Sequence, residues 1–469
     1  VHSNTILATD SYKASHWLQF PPGTDYVHCY IESRGGSYDR TVFFGLQAFL
    51  RQYLSHPITQ ADIDEAAEFF AAHGEPFHRA GWEYILAAHG GQLPVEIKSA
   101  PEGLAIGTHN VLLTIVNTDP RCFWLPNYLE TALLRAIWYP TTVCTVSFHC
   151  KIAILQALAR SSDVPGADNP SAFKLHDFGA RGGTSQESAA LAGMAHLVNF
   201  MGTDTIEGVL AARRFYDEPM AGFSIPAAEH STITSWGREG EVDAYRNMLR
   251  QFAKPGSMVA VVSDSYDLMN VVETVWGGVL KDTILASGAT IVVRPDSGDP
   301  LSVPVDVLRA LDGKFGSTVN SRGYNVLPPC IRVIQGDGIN AQSLPLLLDA
   351  VMAAGYSVDN IAFGMGGGLH QMLNRDTQKF AMKCSAVCID GVWHDVFKQP
   401  ITDPGKGSKR GRFALLAMPG GGYQTVPVSA GQDDLLQPAY RDGALLQQIS
   451  FAQVRERAHS AAARLAGCT

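Results

Sequence analysis

MVAVVSD at residues 258–264 and TIVVRPD at residues 290–296 decide the fold. Each is a short run of β-branched residues that ends on an aspartate, the pattern of a strand buried on both faces. Five more short apolar runs end on a polar or glycine residue. They are KLHDF (174–178, with Asp177 at its end), HLVNFMGTD (196–204), FSIPAAEH (223–230), CIRVIQGD (330–337) and NIAFGMG (360–366). Successive ends lie 26 to 41 residues apart, room for one strand, one loop and one helix per unit. Helices fit the gaps: SQESAALAGMAHL from Ser185, EGEVDAYRNMLRQFA from Glu239 and SLPLLLDAVMAAGY from Ser343. The spacing predicts a parallel βα series. It fits a barrel or an open doubly wound sheet, and seven near-equal units lean towards the barrel. In either fold the carboxyl ends of the strands face one crevice.

The flanks read differently. Residues 1–165 mix strand-like stretches (YVHCYIES, TVFFGLQAFL, PVEIKSA, VLLTIVN) with a helical stretch from Thr59 to His73, broken by Pro and Gly. That predicts an α+β layer. Ser161–Ser171 reads as a linker. The βα rhythm stops after Arg375, so the expected domains are 1–165 with 376–469, and 166–375. At 469 residues the chain exceeds the ~250–300 at which one core stops growing. Its 46% hydrophobic and 17% charged residues suit a well-packed enzyme, and a net charge of −9 argues against nucleic acid as a partner. No run of about 20 apolar residues stands out, so no membrane span is expected. The eight cysteines form no CxxC pair and read as free thiols. With no signal-peptide core in the first residues, the expected compartment is the cytoplasm.

Each strand end carries a candidate group. Gly364-Met365-Gly366-Gly367-Gly368 follows an apolar run and precedes HQMLNRD. Successive glycines present backbone N–H groups to one anion, and a helix start adds a favourable dipole. A tight turn without ligand is the plain alternative. The pattern is neither GxGxxG nor a Walker loop. Gly336-Asp337-Gly338 adds a carboxylate suited to ribose hydroxyls or magnesium. Arg294 and Asp296, two apart, are suited to phosphate or carbonyl and to ribose, or simply to each other. His230 lies at a strand end, where an imidazole serves as general base or phosphate acceptor with Asp264 to orient it, the plain alternative being a satisfied structural histidine. No HExxH or second histidine is spaced for a metal. Phe178 offers a face to a flat heteroaromatic ring. Asp204 accepts from an amide NH2 and repels a carboxylate on the same ring. The basic loop Lys406-Gly-Ser-Lys409-Arg410-Gly-Arg412 reads as a lid over polyphosphate or as a solvated loop.

LATDSYK (7–13), HDFGARG (176–182), GTD, PAAEHST, VVSDSYD, RPDSG, IQGDG and FGMGGG, in this order, closely resemble the motifs of the nicotinamide phosphoribosyltransferases. The resemblance extends over TDPxCxWLxNxxET (118–131) and VFK (396–398), hence over essentially the whole chain. It implies a type II phosphoribosyltransferase fold: an irregular (β/α) barrel of about seven parallel strands beside an α+β sandwich built from both chain ends. It further implies a homodimer with shared active sites. The reaction implied is nicotinamide plus phosphoribosyl pyrophosphate giving nicotinamide mononucleotide and pyrophosphate, with Mg²⁺ held mainly by substrate phosphates and ATP spent through a phosphohistidine.

By the same resemblance His230 is the phosphate-accepting histidine, with Asp264 and Glu229 as its hydrogen-bonding neighbours. Phe178 is one wall of the nicotinamide slot, and Tyr12, with Asp10, comes from the second subunit. Asp204 receives the carboxamide, Arg294 contacts nicotinamide and phosphate, and Asp296 contacts ribose. Gly336, Asp337, Gly366 and Gly367 hold the 5′-phosphate and ribose, while Arg34, Arg181, Arg375, Lys383 and Lys406 hold phosphates. Ala180, Met365 and Ala260 stand where relatives carry Tyr, Ser and a small polar residue. Those differences bear on tunnel width, ATP contacts and inhibitor fit, not on reaction class. The nearest competitor, nicotinate phosphoribosyltransferase, is disfavoured by Asp204. A sugar-phosphate lyase would want a strand-end lysine, and a non-catalytic descendant would be expected to have lost His230 or Asp296.

Overall fold

The computed structural model describes residues 4–164, 170–402 and 407–468. Its contacts divide the chain into two units: 1–145 with 212–218 and 373–458, and 146–211 with 219–372 and 459–469. The expected boundary at 165 differs from this division, which falls inside the helix Glu130–Ser161. By length and composition this helix could cross a membrane, which the sequence reading had not anticipated. However, 72% of its most apolar window is buried in the protein, as in a core helix.

The second unit contains a six-stranded sheet: β1 (Leu175–Asp177), β2 (Gly202–Thr203), β3 (Met258–Val262), β4 (Thr290–Arg294), β5 (Ile331–Gln335) and β6 (Ile361–Met365). The order is β2-β1-β6-β5-β4-β3, and every neighbouring pair is parallel. All six coincide with apolar runs in the sequence. The seventh run, FSIPAAEH, forms no strand. It contributes isolated bridges, Phe223 to Gly202 on β2 and Ala227 to Ala260 on β3. Its backbone nevertheless bonds both edges of the sheet: Phe223 N–H to Met201, and Ala228 N–H to Ala260. Pro226 has no N–H to offer between those points, so the ladder breaks there while the ring of backbone bonds still closes. The result is an irregular α/β barrel.

Helices follow the strands as the spacing requires. Gln186–His196 starts at a capping box in which Ser185 and Ser188 satisfy each other's backbone N–H groups. Glu241–Phe252 and Ser343–Ala353 lie where the periodicity places them. Trp276 donates its indole N–H to the hydroxyl of buried Ser263, fixing the chain just beyond β3.

The first unit is built on one seven-stranded antiparallel sheet. Its order is Val392–Asp395, Phe380–Ile389, Thr24–Ser33, Val111–Asn117, Val95–Ser99, Gln437–Arg441 and Ala444–Leu445. Strands from both chain ends alternate with helices Gln60–His73 and Arg79–His89 in sharing one core, where Trp82, Trp124 and Tyr128 meet edge to face. TVFFGLQAFL, expected to be strand-like, is extended only over Arg40–Val42 and then turns into helix Leu46–Phe49. Gly45 makes the turn at φ 107°, and a Cβ there would meet Pro140 at 2.5 Å.

Lys174, just before β1, is buried, and its ammonium donates to three carbonyls before and at the start of β6: Val358 at 2.8 Å, Asp359 at 3.1 Å and Ile361 at 2.9 Å. Burial lowers its pKa to about 8. Lys174→Met removes the donor and strands those carbonyls. We expect a loss of about 2–4 kcal/mol in unfolding free energy, read from urea denaturation at pH 7.

Candidate active site

Parallel registration brings the strand ends level. Asp177 pairs with Met365 and Thr203, and Val262 with Arg294. The residues at or just beyond these points therefore meet in a cleft of about 490 Å³. Phe178, Ala180, Arg181 and Gly182 follow β1, and Asp204 follows β2. Arg294 ends β4 and Asp296 follows it, Gly336 and Asp337 follow β5, and Gly366 and Gly367 follow β6.

The floor is apolar. Ala260, Val292 and Ile334 are buried together, with Phe178, Ile225 and Ala362 packed against them. Ala260, where a small polar residue was expected from the resemblance, thus belongs to this floor, and Met365 is fully buried at the end of β6. The Phe178 ring lies so close to β6 that a Cβ on Gly364 would sit 2.0 Å from it. Its N–H donates to the Met365 carbonyl at 3.0 Å.

The walls are polar. Asp204 accepts the Ser224 hydroxyl at 2.5 Å, and its own N–H donates to the Asp177 carbonyl at 2.9 Å. An Arg294 Nη2 atom lies 3.6 Å from an Asp296 carboxylate oxygen, so the two strand-end groups are paired with each other as the plainer alternative had it. The Arg294 Nε is buried with no protein partner among the described residues, which leaves a donor of this guanidinium aimed at no protein acceptor.

His230 sits beside this wall. Its Nε2 lies 2.9 Å from Asp264, and its Nδ1 lies 3.9 Å from Asp296. Asp264 also accepts the Ser297 hydroxyl at 2.5 Å and the Asp296 N–H at 3.2 Å. Burial pushes the Asp264 carboxyl up, but Ser297, His230 and the Asp296 N–H outweigh it and hold the group below the ordinary carboxylate range. Glu229 behaves otherwise than expected. Its carboxylate accepts from Ser231, its carbonyl accepts the Thr232 N–H, and among the described residues it makes no bond to His230. The Ser231 hydroxyl, next along the chain, engages the carboxylate instead.

The glycine turn forms as read, with a difference. The helix it opens, Gly367–His370, is a single turn. What it offers an anion is unpaired first-turn N–H groups rather than a macrodipole.

The remaining expected residues belong to the first unit. Asp10 accepts the Thr131 hydroxyl at 2.7 Å, and Tyr12 is 55% exposed. Arg34 is bonded to Glu32 at 3.0 Å, and Lys383 lies 3.9 Å from Glu130. Burial, with the nearby cations Arg34, Lys398 and Lys13, lowers the Lys383 pKa. Arg375 is exposed beside Asp376. Lys406 lies outside the described residues. Also in the first unit, His89, Asp119 and Cys122 are close enough to share a metal. Asp119 already accepts from Tyr84, His89 and the Arg121 N–H, and burial pushes the Cys122 thiol up to about 12, so hydrogen bonding accounts for the cluster.

Three functional neighbours escaped the sequence reading. Ser224 and Ser297 stand inside quoted motifs, as hydroxyls beside a carboxylate. His370 stands in HQMLNRD, where nothing local singles it out.

Residues 173–449 match the model of the nicotinate phosphoribosyltransferase (NAPRTase) family, and residues 4–97 match the N-terminal domain model of nicotinamide phosphoribosyltransferase. A Xanthomonas campestris pv. campestris protein named nicotinamide phosphoribosyltransferase is 58% identical over 98% of this chain and 99% of its own. One of the same name from Acinetobacter baylyi is 30% identical over 97% of each. The fold is shared with nicotinate-nucleotide pyrophosphorylase of Pyrococcus furiosus (TM-score 0.63, 16% identity, covering 100% of this chain and 98% of that one). It is shared too with human nicotinic acid phosphoribosyltransferase (TM-score 0.60, 19% identity, 98% and 94%).

The Asp264 carboxyl, depressed in the folded state, contributes stability that is complete above the unfolded value of about 3.9 and is lost as pH falls through the folded value. In Asp264→Asn, the decline of urea midpoints from about pH 5 to about pH 3 should be shallower than in the wild type.

Proposed function

The chain belongs to the nicotinate phosphoribosyltransferase family, and we propose that within it the substrate is nicotinamide. Phosphoribosyl pyrophosphate is the donor, and the products are nicotinamide mononucleotide and pyrophosphate. The observation that carries this reading is Asp204, a carboxylate at the β2 end of a cleft walled by Phe178. A carboxylate there welcomes an amide NH2 and opposes a ring carboxylate, at a cost of several kcal/mol.

The ring stacks on Phe178, and the ribose hydroxyls bond to Asp296 and Asp337. The 5′-phosphate takes the backbone N–H groups at Gly366 and Gly367. As the bond from the ribose carbon to pyrophosphate breaks and the bond to the ring nitrogen forms, positive charge develops on the sugar. Arg294 and Arg181 hold the departing charge, so the work is positioning and electrostatics. Hard carboxylate oxygens at Asp296 and Asp337 suit Mg²⁺. When bound mainly through the substrate phosphates, the ion would supply charge neutralisation.

Arg34, Arg375, Lys383 and Lys406 join as further phosphate contacts. The active form is a homodimer, in which the partner subunit's Tyr12 and the partner subunit's Asp10 complete the ring slot. ATP phosphorylates His230 through the nitrogen facing Asp296, giving ADP, and hydrolysis of the phosphohistidine releases phosphate. The Asp264 contact supports this role by fixing the imidazole, leaving Nδ1 as the reacting atom. The cytoplasm is the proposed compartment, with neither membrane nor nucleic acid as partner.

The reading is tested by incubating the protein with phosphoribosyl pyrophosphate, Mg²⁺ and either ring, with and without ATP. We expect nicotinamide mononucleotide, more of it with ATP, and no ATP response in His230→Ala. Nicotinate turnover would overturn the substrate assignment, and an ATP response surviving in His230→Ala would overturn the phosphohistidine. In Asp204→Asn the ratio of kcat/KM for nicotinamide over nicotinate should fall at least about tenfold. An unchanged ratio would remove Asp204 as the discriminating group.

A further inference from the structure

Behind the cleft, Asp177 and His370 are both fully buried, with the His370 Nε2 lying 2.9 Å from an Asp177 carboxylate oxygen. The same oxygen accepts the Gly179 N–H at 2.7 Å. The imidazole lies flat enough against Gly179 that a Cβ there would meet its ring at 2.5 Å. Burial pushes the Asp177 carboxyl up, but the His370 contact and the Gly179 N–H outweigh it and keep the group below the ordinary range.

These two residues belong to different parts of the site. Asp177 ends β1, directly before Phe178, and its carbonyl receives the Asp204 N–H. His370 ends the single helical turn that Gly367 begins, and its own N–H donates to the Gly366 carbonyl. The ring wall, the amide acceptor and the glycine turn therefore converge on one buried pair. An ordinary surface contact could not do this. A fully buried imidazole 2.9 Å from a fully buried carboxylate has few alternative positions, because a close-packed interior leaves neither group room to shift.

Resting on the reaction proposed above, the geometry points to His370 as a positioning residue that fixes the phosphate-binding glycine turn relative to Phe178 and Asp204. The nicotinamide and phosphoribosyl subsites then hold one spacing, which is what an in-line transfer between them requires. His370 touches neither substrate. Its effect should appear in both KM values together rather than in one.

The test compares wild type with His370→Gln, His370→Leu and the double variant Asp177→Asn/His370→Leu, which leaves no lone buried carboxylate if the single change fails to fold. Two readouts are taken on each folded protein: KM for nicotinamide and for phosphoribosyl pyrophosphate, and calorimetric binding of ribose 5-phosphate. We expect both KM values to rise together by roughly tenfold in His370→Leu or in the double variant, with ribose 5-phosphate bound correspondingly more weakly. His370→Gln, which keeps an N–H, should recover part of each. A lowered melting temperature with unchanged KM values and unchanged ribose 5-phosphate binding would overturn the positioning role. If wild type forms no product from either ring while His370→Leu still weakens ribose 5-phosphate binding, the assigned reaction falls and the positioning role stands.

Discussion

Phe178 occupies the space that a side chain on Gly364 would need, and much of the site follows from that exclusion. Gly364 lacks a Cβ, so the ring lies against β6 and closes the apolar floor formed by Ala260, Val292 and Ile334. A second near contact, 3.3 Å between the ring and a Cβ built on Gly336, limits the next strand in the same way. The glycines of IQGDG and FGMGGG therefore do two jobs. Some present backbone to the proposed 5′-phosphate, and others make room for an aromatic face.

Above that floor the charges are unequal. Asp204, Asp296 and Asp337 line the cleft with only Arg181 and Arg294 for cations, and Arg294 already faces Asp296. With a net charge of −9 the protein offers no global field to draw in a polyphosphate. This lining alone is better matched to hydroxyl and amide donors than to pyrophosphate. The proposed magnesium ion answers that imbalance, and explains how a phosphate-handling enzyme can carry so acidic a cleft.

The barrel was legible because parallel strands covered on both faces must be apolar throughout and must end where the chemistry begins. MVAVVSD, TIVVRPD, CIRVIQGD and NIAFGMG kept that rule, and each is a strand of five residues. FSIPAAEH departed from it because Pro226 denies the ladder a donor, a constraint visible in the sequence but outweighed by the spacing. TVFFGLQAFL looked extended by composition, yet Gly45 and its approach to Pro140 turned it into a helix, which only tertiary packing decides. Glu229 was given a place beside His230, and the Ser231 hydroxyl engages its carboxylate instead. His370 was illegible for a different reason. Its partner Asp177 is remote in sequence, and no periodicity marks a pairing made across the barrel end.

In the proposed reading, specificity turns on how Asp204 is held. A carboxylate offers acceptor sites only, and here the Ser224 hydroxyl takes one oxygen. That bond ties one oxygen, and the other has no protein donor among the described residues. A ring substituent approaching it must therefore bring a hydrogen. A carboxamide does so with its NH2, whereas a carboxylate has none to give and adds a like charge. Ser224 comes from the broken seventh segment, so the irregularity that denied the barrel a full strand also supplies the hydroxyl that aims Asp204.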